Sequence, residues 1–197
     1  MFKRAISCAI CVLMLILFSA VGSRAAGGER KSCIKEIGLL SGYASGGLKD
    51  KDDYELILTI ARIGFDLKPF LNKFKLNPPG IVEFELEPFA NTVISPDNNA
   101  EVGFNFLFKY AFPLTKRFYP YIEGGLGFVF MTQHTLEQST QYNFLPQGGV
   151  GIIYFIKKDR LALNAGYRYR HLSNNSFKSP NSGINVNMAL VGVSLFY

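Results

Sequence analysis

The sequence lacks tryptophan altogether and contains only three cysteines and two histidines among 197 residues. A fold organised by several disulfides or by a cysteine-histidine metal cluster is therefore excluded. Charged residues are also few, at 18% of the chain, while 48% of the residues are hydrophobic. This balance excludes an intrinsically disordered chain, and the length fits one modest domain.

Long hydrophobic runs are absent except at the N-terminus. There a basic start is followed by an uncharged stretch, residues 5–23, which closes on small residues around Ala25. This order predicts a secretory signal peptide over residues 1–25, cleaved after Ala25 or after Gly22. An uncleaved anchor helix is the alternative, because a helix of about 20 apolar residues spans a bilayer.

Loss of the signal peptide changes both the charge and the cysteine content. Three basic and no acidic residues leave, so the net charge falls from 21 − 15 = +6 to 18 − 15 = +3, which gives no reason to expect a nucleic-acid partner. Cys8 and Cys11 leave as well, so Cys33 remains alone and no internal disulfide is expected. The residues before Cys33 make a poor lipobox, which argues against a lipoprotein anchor.

Beyond residue 26 no segment is long and apolar enough for a transmembrane helix, and aromatic and β-branched runs recur about every 20 residues instead. These runs lie at 33–45, 54–67, 80–92, 99–111, 119–132, 143–156, 160–172 and 184–197. Eight strands of this length make the smallest membrane barrel. The sequence therefore predicts an all-β fold, an eight-stranded antiparallel transmembrane β-barrel over residues 26–197.

Apolar and polar residues alternate within these runs. From Val102 to Tyr110 the even-numbered residues are apolar or aromatic, whereas Glu101, Asn105 and Lys109 occupy odd positions. One face therefore suits lipid and the other suits a packed polar lumen. The charged residues assigned to the lumen are Glu83, Glu85, Glu87, Glu123, Arg62, Lys109, Arg168 and Arg170. Because their charges nearly balance and side chains fill so small a barrel, a porin channel is disfavoured.

The last run carries a further signal. It ends on an aromatic residue, and the alternate positions before it are apolar, namely Leu195, Val193, Val191 and Ala189. Such an ending resembles the C-terminal signature of bacterial outer-membrane barrels, which implies the barrel assembly machinery as a partner. The alternative is a soluble periplasmic barrel, in which the apolar face would point inward.

Few residues offer chemistry. His134 lies in a polar connector without metal-ligand partners at a suitable spacing, and the chain has no phosphate-binding glycine loop and no nucleic-acid motif. We therefore expect neither a metal nor another cofactor.

His171 has a different setting. Strand alternation places His171, Ser173 and Asn185 on one outward face of neighbouring strands, and the twelve steps from Asn185 to the chain end correspond to roughly 28 Å of height after tilt. The three residues are thus expected near the outer-leaflet surface. A serine hydroxyl beside an imidazole held by a third polar group is the minimum for acyl transfer, so an ester-bearing lipid is the natural substrate. An interfacial histidine followed by a plain turn is the alternative.

The run His171-Leu-Ser-Asn174, followed by Lys178-Ser-Pro-Asn181 and Gly183-Ile184, resembles the PagL family of lipid A 3-O-deacylases. The resemblance implies an outer-membrane barrel that hydrolyses the ester-linked acyl chain at the 3-position of lipid A, in lipopolysaccharide, without a metal. Lys178 in this run is a candidate for contact with a lipid A phosphate, with a solvated loop lysine as the alternative.

By motif position, the resemblance makes Ser173 the nucleophile and His171 the general base. The acid that orients the histidine falls on Asn185, where the sequence departs from the family pattern. An asparagine can accept a hydrogen bond from the imidazole but cannot stabilise the imidazolium by charge. Asn174 and Asn181 are expected to stabilise the oxyanion or bind substrate.

Three alternatives stay open on the sequence. The first is a catalytically weak or inactive family member that acts as a structural or lipid-binding barrel, and Asn185 is its motive. The second is a generic structural barrel or adhesin, in which changing His171 or Ser173 alters nothing. The third is a soluble periplasmic lipid carrier. The sequence also does not decide between a monomer and a homodimer.

Overall fold

The computed structural model describes residues 33–49 and 53–197. The predicted signal peptide, with Cys8 and Cys11, lies outside the described residues. Cys33 is exposed and unpaired in the described part of the chain. Within the same part, no helix has the length and apolar character needed to cross a membrane.

The described residues form nine strands and one short helix. They are β1 (Ile34–Gly46), β2 (Tyr54–Asp66), α1 (Lys68–Lys73), β3 (Ile81–Ser95), β4 (Asn99–Ala111), β5 (Phe118–Met131), β6 (Tyr142–Phe144), β7 (Gln147–Lys157), β8 (Leu161–Leu172) and β9 (Ile184–Phe196). Each strand pairs antiparallel with its neighbours, and β9 returns to pair with β1, which closes the wall. Because β6 and β7 both pair with β5, they form one interrupted wall strand. The predicted eight-stranded antiparallel barrel is confirmed.

The strand bounds follow the predicted runs to within a few residues, with two differences. The sixth run is split at Leu145 and Pro146, since proline has no N–H to continue a ladder. The connection between β2 and β3 contains α1, which the sequence analysis did not anticipate.

The two faces of the wall differ as the alternation predicted. Outward side chains are apolar and exposed, as in Val102, Phe104 and Phe108. Every charged residue assigned to the lumen is buried, and Glu36 and Glu101 join them there. The predicted inward and outward faces are therefore correct.

The buried charges pair with one another inside the barrel. The Arg62 guanidinium lies 3.1 Å from Glu85 and 2.8 Å from Glu87, and Arg168 lies 2.7 Å from both Glu87 and Glu123. Buried charges are costly unless they are paired in this way. Two apolar clusters close the network, one around Leu172 at one end and the other around Phe155 and Phe196 at the other.

The barrel has a loop end and a terminal end. The loop end is the end at which β1, β3, β5 and β8 finish, and the terminal end is the end at which β9 finishes. At the loop end, Leu172 and Ile184 are fully buried in the apolar cluster. Since side chains alternate along a strand, the neighbours His171 and Asn185 must point outward.

Candidate active site

His171 and Asn185 face each other across the β8–β9 ladder. They are directly paired in the register, next to the buried pair Leu172 and Ile184 and one residue further from the loop end. Directly opposed residues bring their side chains close together, and here His171 Nδ1 lies 2.6 Å from Asn185 Oδ1. The structure thus brings together two of the three residues predicted to do chemistry.

This contact sets the proton distribution on the imidazole. An amide oxygen only accepts hydrogen bonds, so Nδ1 carries the proton and donates it to Asn185. In the neutral imidazole, the second nitrogen, Nε2, then keeps its lone pair. The histidine is therefore in the tautomer that can accept a proton at Nε2.

Ser173 follows His171 on the same face, two residues further along the chain. Its backbone exchanges two hydrogen bonds with Phe144, with N···O distances of 2.8 and 3.1 Å, and its side chain is half-buried. Asn175 and Ser176 then adopt positive φ angles of 53° and 62°, which turn the chain away from the wall. Between Ser173 and His171 the side chains make no direct hydrogen bond, although both residues are within the described part of the chain.

The break between β6 and β7 supports the site from the other side. The His171 N–H donates to the Pro146 carbonyl at 2.9 Å. This hydrogen bond lies two residues along each strand from the bridge between Phe144 and Ser173. The interrupted strand therefore fixes the backbone of both His171 and Ser173.

Gly183 packs directly against the imidazole. Its φ is +74°, and a Cβ placed on it would lie 2.7 Å from His171 Nε2 and closer still to Cε1. Only glycine allows both this backbone conformation and this approach. The sequence pointed to Gly183 only as part of the family motif, because a contact across the loop leaves no local pattern.

Asn174 holds the loop that follows Ser173. Its side chain is buried, and its two N–H groups donate to the Lys178 carbonyl at 2.8 Å and to Ser139 Oγ at 3.1 Å. Its backbone N–H donates to Asn181 Oδ1 at 2.9 Å. The oxyanion role predicted for Asn174 stays a prediction, and it would require these donors to leave the loop.

Asn181 is arranged differently. Its Oδ1 is used by Asn174, but its amide nitrogen has no hydrogen-bond partner within the described residues. Of the two asparagines predicted to stabilise an oxyanion, Asn181 is therefore the one with a donor available. Lys178 is exposed on the same loop.

A second loop, between β5 and β6, supports the loop after β8. The Ser139 N–H donates to the Pro180 carbonyl at 3.1 Å, the Ser182 N–H donates to the Glu137 carbonyl at 3.0 Å, and Gln138 Nε2 donates to the Leu172 carbonyl at 3.2 Å. The sequence predicts only a polar connector at this loop. Its contacts join residues more than 30 positions apart, which composition cannot reveal.

Within the described residues, the potential metal ligands lie away from His171 and Asn185. His134 is exposed in the β5–β6 loop. In the same described part, one trio of carboxylates comes close enough to share an ion, namely Glu36, Glu83 and Glu85. These carboxylates surround the Lys109 ammonium inside the lumen, so their charge already has a partner.

A depression in the outer wall begins beside the site. Gly124 and Gly148 are directly paired, and Gly148 also pairs with Tyr169, which lies two residues before His171 on β8. A Cβ on either glycine would approach only a backbone oxygen, at 3.6 or 3.5 Å. Phe108 pairs with Gly124 on one side, and Tyr169 pairs with Gly148 on the other. Both aromatic side chains are exposed, so they border a strip of wall that has no side chains of its own.

Comparison with solved structures places the fold among outer-membrane barrels. The crystal structure of the outer membrane enzyme PagL matches with a TM-score of 0.56 at 17% identity, covering 80% of this chain and 97% of that one. The crystal structure of Neisserial surface protein A matches with a TM-score of 0.59 at 12% identity, covering 84% of this chain and 98% of that one. These similarities show that the fold is that of an outer-membrane-type β-barrel.

Sequence comparison identifies the family. No curated protein matches the chain. The family model described as lipid A 3-O-deacylase (PagL) matches residues 61–194, which is more than half of the chain and includes every predicted site residue. The chain therefore belongs to the PagL family of lipid A 3-O-deacylases.

Proposed function

We propose that this protein is an active lipid A 3-O-deacylase that uses Ser173 as nucleophile and His171 as general base. The observation that carries the proposal is the 2.6 Å contact between His171 Nδ1 and Asn185 Oδ1, on the same outward face as Ser173. Family membership supports the substrate class, and the contact supports the assignment of roles to residues.

In the first step, Nε2 of His171 removes the Ser173 proton as the hydroxyl attacks the carbonyl of the 3-O-acyl ester. The tetrahedral intermediate collapses when His171 returns the proton to the leaving sugar oxygen, which leaves an acyl-serine. Water, activated by the same imidazole, then attacks the acyl-serine and releases the fatty acid. The Ser173–His171 hydrogen bond forms when substrate binds, as is common for catalytic hydrogen bonds that are long in free enzymes.

Charge that develops on the carbonyl oxygen needs a hydrogen-bond donor. The amide nitrogen of Asn181 supplies it in this proposal, because its hydrogens are not used elsewhere in the described structure, whereas those of Asn174 hold the loop. A single oxyanion donor of this kind typically contributes about 10²- to 10³-fold to kcat.

The depression at Gly124 and Gly148 is the proposed path of the acyl chain. It starts beside His171 and continues along the outward face to Val150 and Ile122, which are directly paired, exposed and apolar. An acyl chain lying there keeps its tail in lipid while its ester carbonyl reaches Ser173. In this proposal the reaction takes place in the outer leaflet, at the level of the loop end.

Because Asn185 stands where the family pattern has an acidic residue, a second function is also considered. An asparagine orients the ring but adds no negative charge, so a barrel that binds lipid A without hydrolysing it is the competing proposal. Turnover separates the two, because a lipid-binding barrel leaves every ester intact.

The test is mass spectrometry of lipid A from cells that express the wild type, Ser173→Ala or Asn185→Asp. We expect wild type to remove one 3-hydroxyacyl chain and Ser173→Ala to remove none. Heat-modifiable migration on gels serves as the control that each variant has formed a barrel. Intact lipid A from correctly inserted wild type would overturn the deacylase proposal, and activity confined to Asn185→Asp would identify the missing charge as the reason.

A further inference from the structure

The terminal end of the barrel is strongly basic. Three connections lie there, and two of them are taken with the last residue of the preceding strand, which gives residues 66–80, 112–117 and 157–160. Together they contain eight basic side chains and two acidic ones. The basic side chains are Lys68, Lys73, Lys75, Lys116, Arg117, Lys157, Lys158 and Arg160, and the acidic ones are Asp66 and Asp159. We call these three connections the basic surface.

The loop end has the opposite balance. Its described connections carry two basic side chains, Lys49 and Lys178, against Asp53, Asp97 and Glu137. The basic character is therefore a property of one end and does not follow from the net charge of the chain.

The basic surface also exposes large apolar side chains. In the connection that contains α1, Phe70, Phe74 and Leu76 are 57%, 63% and 56% exposed, and the two phenylalanine rings pack edge to face at 5.2 Å. Leu114, in the second connection, is 65% exposed. Exposure of these apolar side chains to water is unfavourable, because they bury little area against the barrel.

Lysines are interleaved with these apolar residues. Lys73 and Lys75 flank Phe74 in the sequence, and all three side chains are exposed. Apolar groups with interspersed lysines are typical of segments that lie in a membrane interface, where the apolar groups enter the acyl boundary and the ammonium groups meet phosphates. The outward wall next to this segment is also apolar, with Phe65 and Phe84 in ring contact at 6.4 Å.

We propose that the basic surface binds the headgroups of anionic glycerophospholipids in the leaflet opposite the active site. The exposed phenylalanines enter that leaflet and the lysines pair with its phosphates. This attachment fixes the depth of the barrel and so holds the loop end at the level of the other leaflet. The charge balance favours anionic over zwitterionic lipid, and the apolar side chains favour a lipid surface over a soluble polyanion.

The chain offers a clean reporter, because it contains no tryptophan. We would replace Phe74 by tryptophan and reconstitute the full protein in phosphatidylcholine vesicles that contain brominated phosphatidylglycerol or brominated phosphatidylcholine. Bromine quenches tryptophan on contact, so the ratio of quenching gives the relative affinity of the two lipids at this surface. Because both leaflets have the same composition, the direction of insertion does not affect the result.

The matched pair of variants removes two charges at each end. Lys73→Gln with Lys75→Gln alters the basic surface, and Lys49→Gln with Lys178→Gln alters the loop end, both in the Phe74→Trp background. We expect the reporter protein to prefer phosphatidylglycerol by at least about fivefold, the factor expected from one lysine near an anionic surface. The first pair should reduce the preference toward one and the second should leave it unchanged, with heat-modifiable migration confirming the barrel in each case.

Three results would overturn the proposal. Equal quenching by both lipids would mean that the surface does not recognise charge. A preference that survives Lys73→Gln with Lys75→Gln would place the recognition elsewhere. Quenching by neither lipid would mean that Phe74 lies outside the membrane interface.

Discussion

Replacing Gly183 by alanine should disable the site without disrupting the barrel. The new Cβ would lie 2.7 Å from His171 Nε2, whereas ordinary contacts begin at 3.4 Å, so the imidazole must move by roughly 1 Å. That movement breaks the 2.6 Å contact with Asn185 or pushes Nε2 away from Ser173. Because misplacement by about 1 Å costs about 100-fold in rate, we expect kcat to fall by about 100-fold with little change in KM. The positive φ adds a separate cost of about 1–2 kcal/mol to folding.

The assay is the initial rate of acyl release from lipid A in detergent micelles, at several substrate concentrations, per mole of folded barrel. Two glycines serve as controls, because a Cβ on Gly47 would meet nothing within 4 Å, and Gly80 has a φ of +88° at the opposite end of the barrel. Gly47→Ala should behave as wild type, and Gly80→Ala should lose stability but keep its kcat. If Gly183→Ala kept a kcat within twofold of wild type, or if Gly80→Ala lost as much, positioning of the ring by Gly183 would be refuted.

Three other substitutions test the acyl path, the lumen and the loop. Gly148→Val fills the depression in the outer wall, so kcat/KM for lipid A should fall about tenfold, and an unchanged value would place the acyl chain elsewhere. Glu87→Gln removes the carboxylate between Arg62 and Arg168, which should cost about 3–5 kcal/mol in urea unfolding, and a cost below about 1 kcal/mol would contradict the buried pairing. Asn174→Ala removes two hydrogen bonds that close the loop, so proteolysis there should accelerate; lost activity in a loop that stays resistant would instead favour its oxyanion role.

The barrel wall could be predicted because its two environments leave a period-two pattern. Between Val102 and Tyr110 every second residue meets the exterior, and the residues between them meet the lumen, as Asn105 and Lys109 do. The connections carry no such pattern. Helix α1 is only six residues long and contains a proline, so it is too short to leave a helical pattern in the sequence.

In the candidate site, too, the residues on strands could be predicted and the loop contacts could not. His171 and Asn185 could be placed side by side because both lie on strands whose inward neighbours are apolar. Support from the β5–β6 loop could not be foreseen, because the Asn174 contact with Ser139 spans 35 positions and has no periodic signal. The packing of Gly183 against the imidazole depends in turn on where that loop places the chain.

The value of the missing charge at Asn185 can be bounded from the geometry. A carboxylate about 4 Å from the imidazolium would contribute about 1 kcal/mol in water and about 4 kcal/mol at the effective dielectric constant of a protein surface. These limits correspond to rate factors from about fivefold to about 1000-fold. Asn185 is exposed and His171 only half-buried, so the lower part of that range applies and Asn185→Asp should raise kcat by about tenfold. The 2.6 Å contact already orients the ring, so Asn185→Asp should add the charge without changing that orientation.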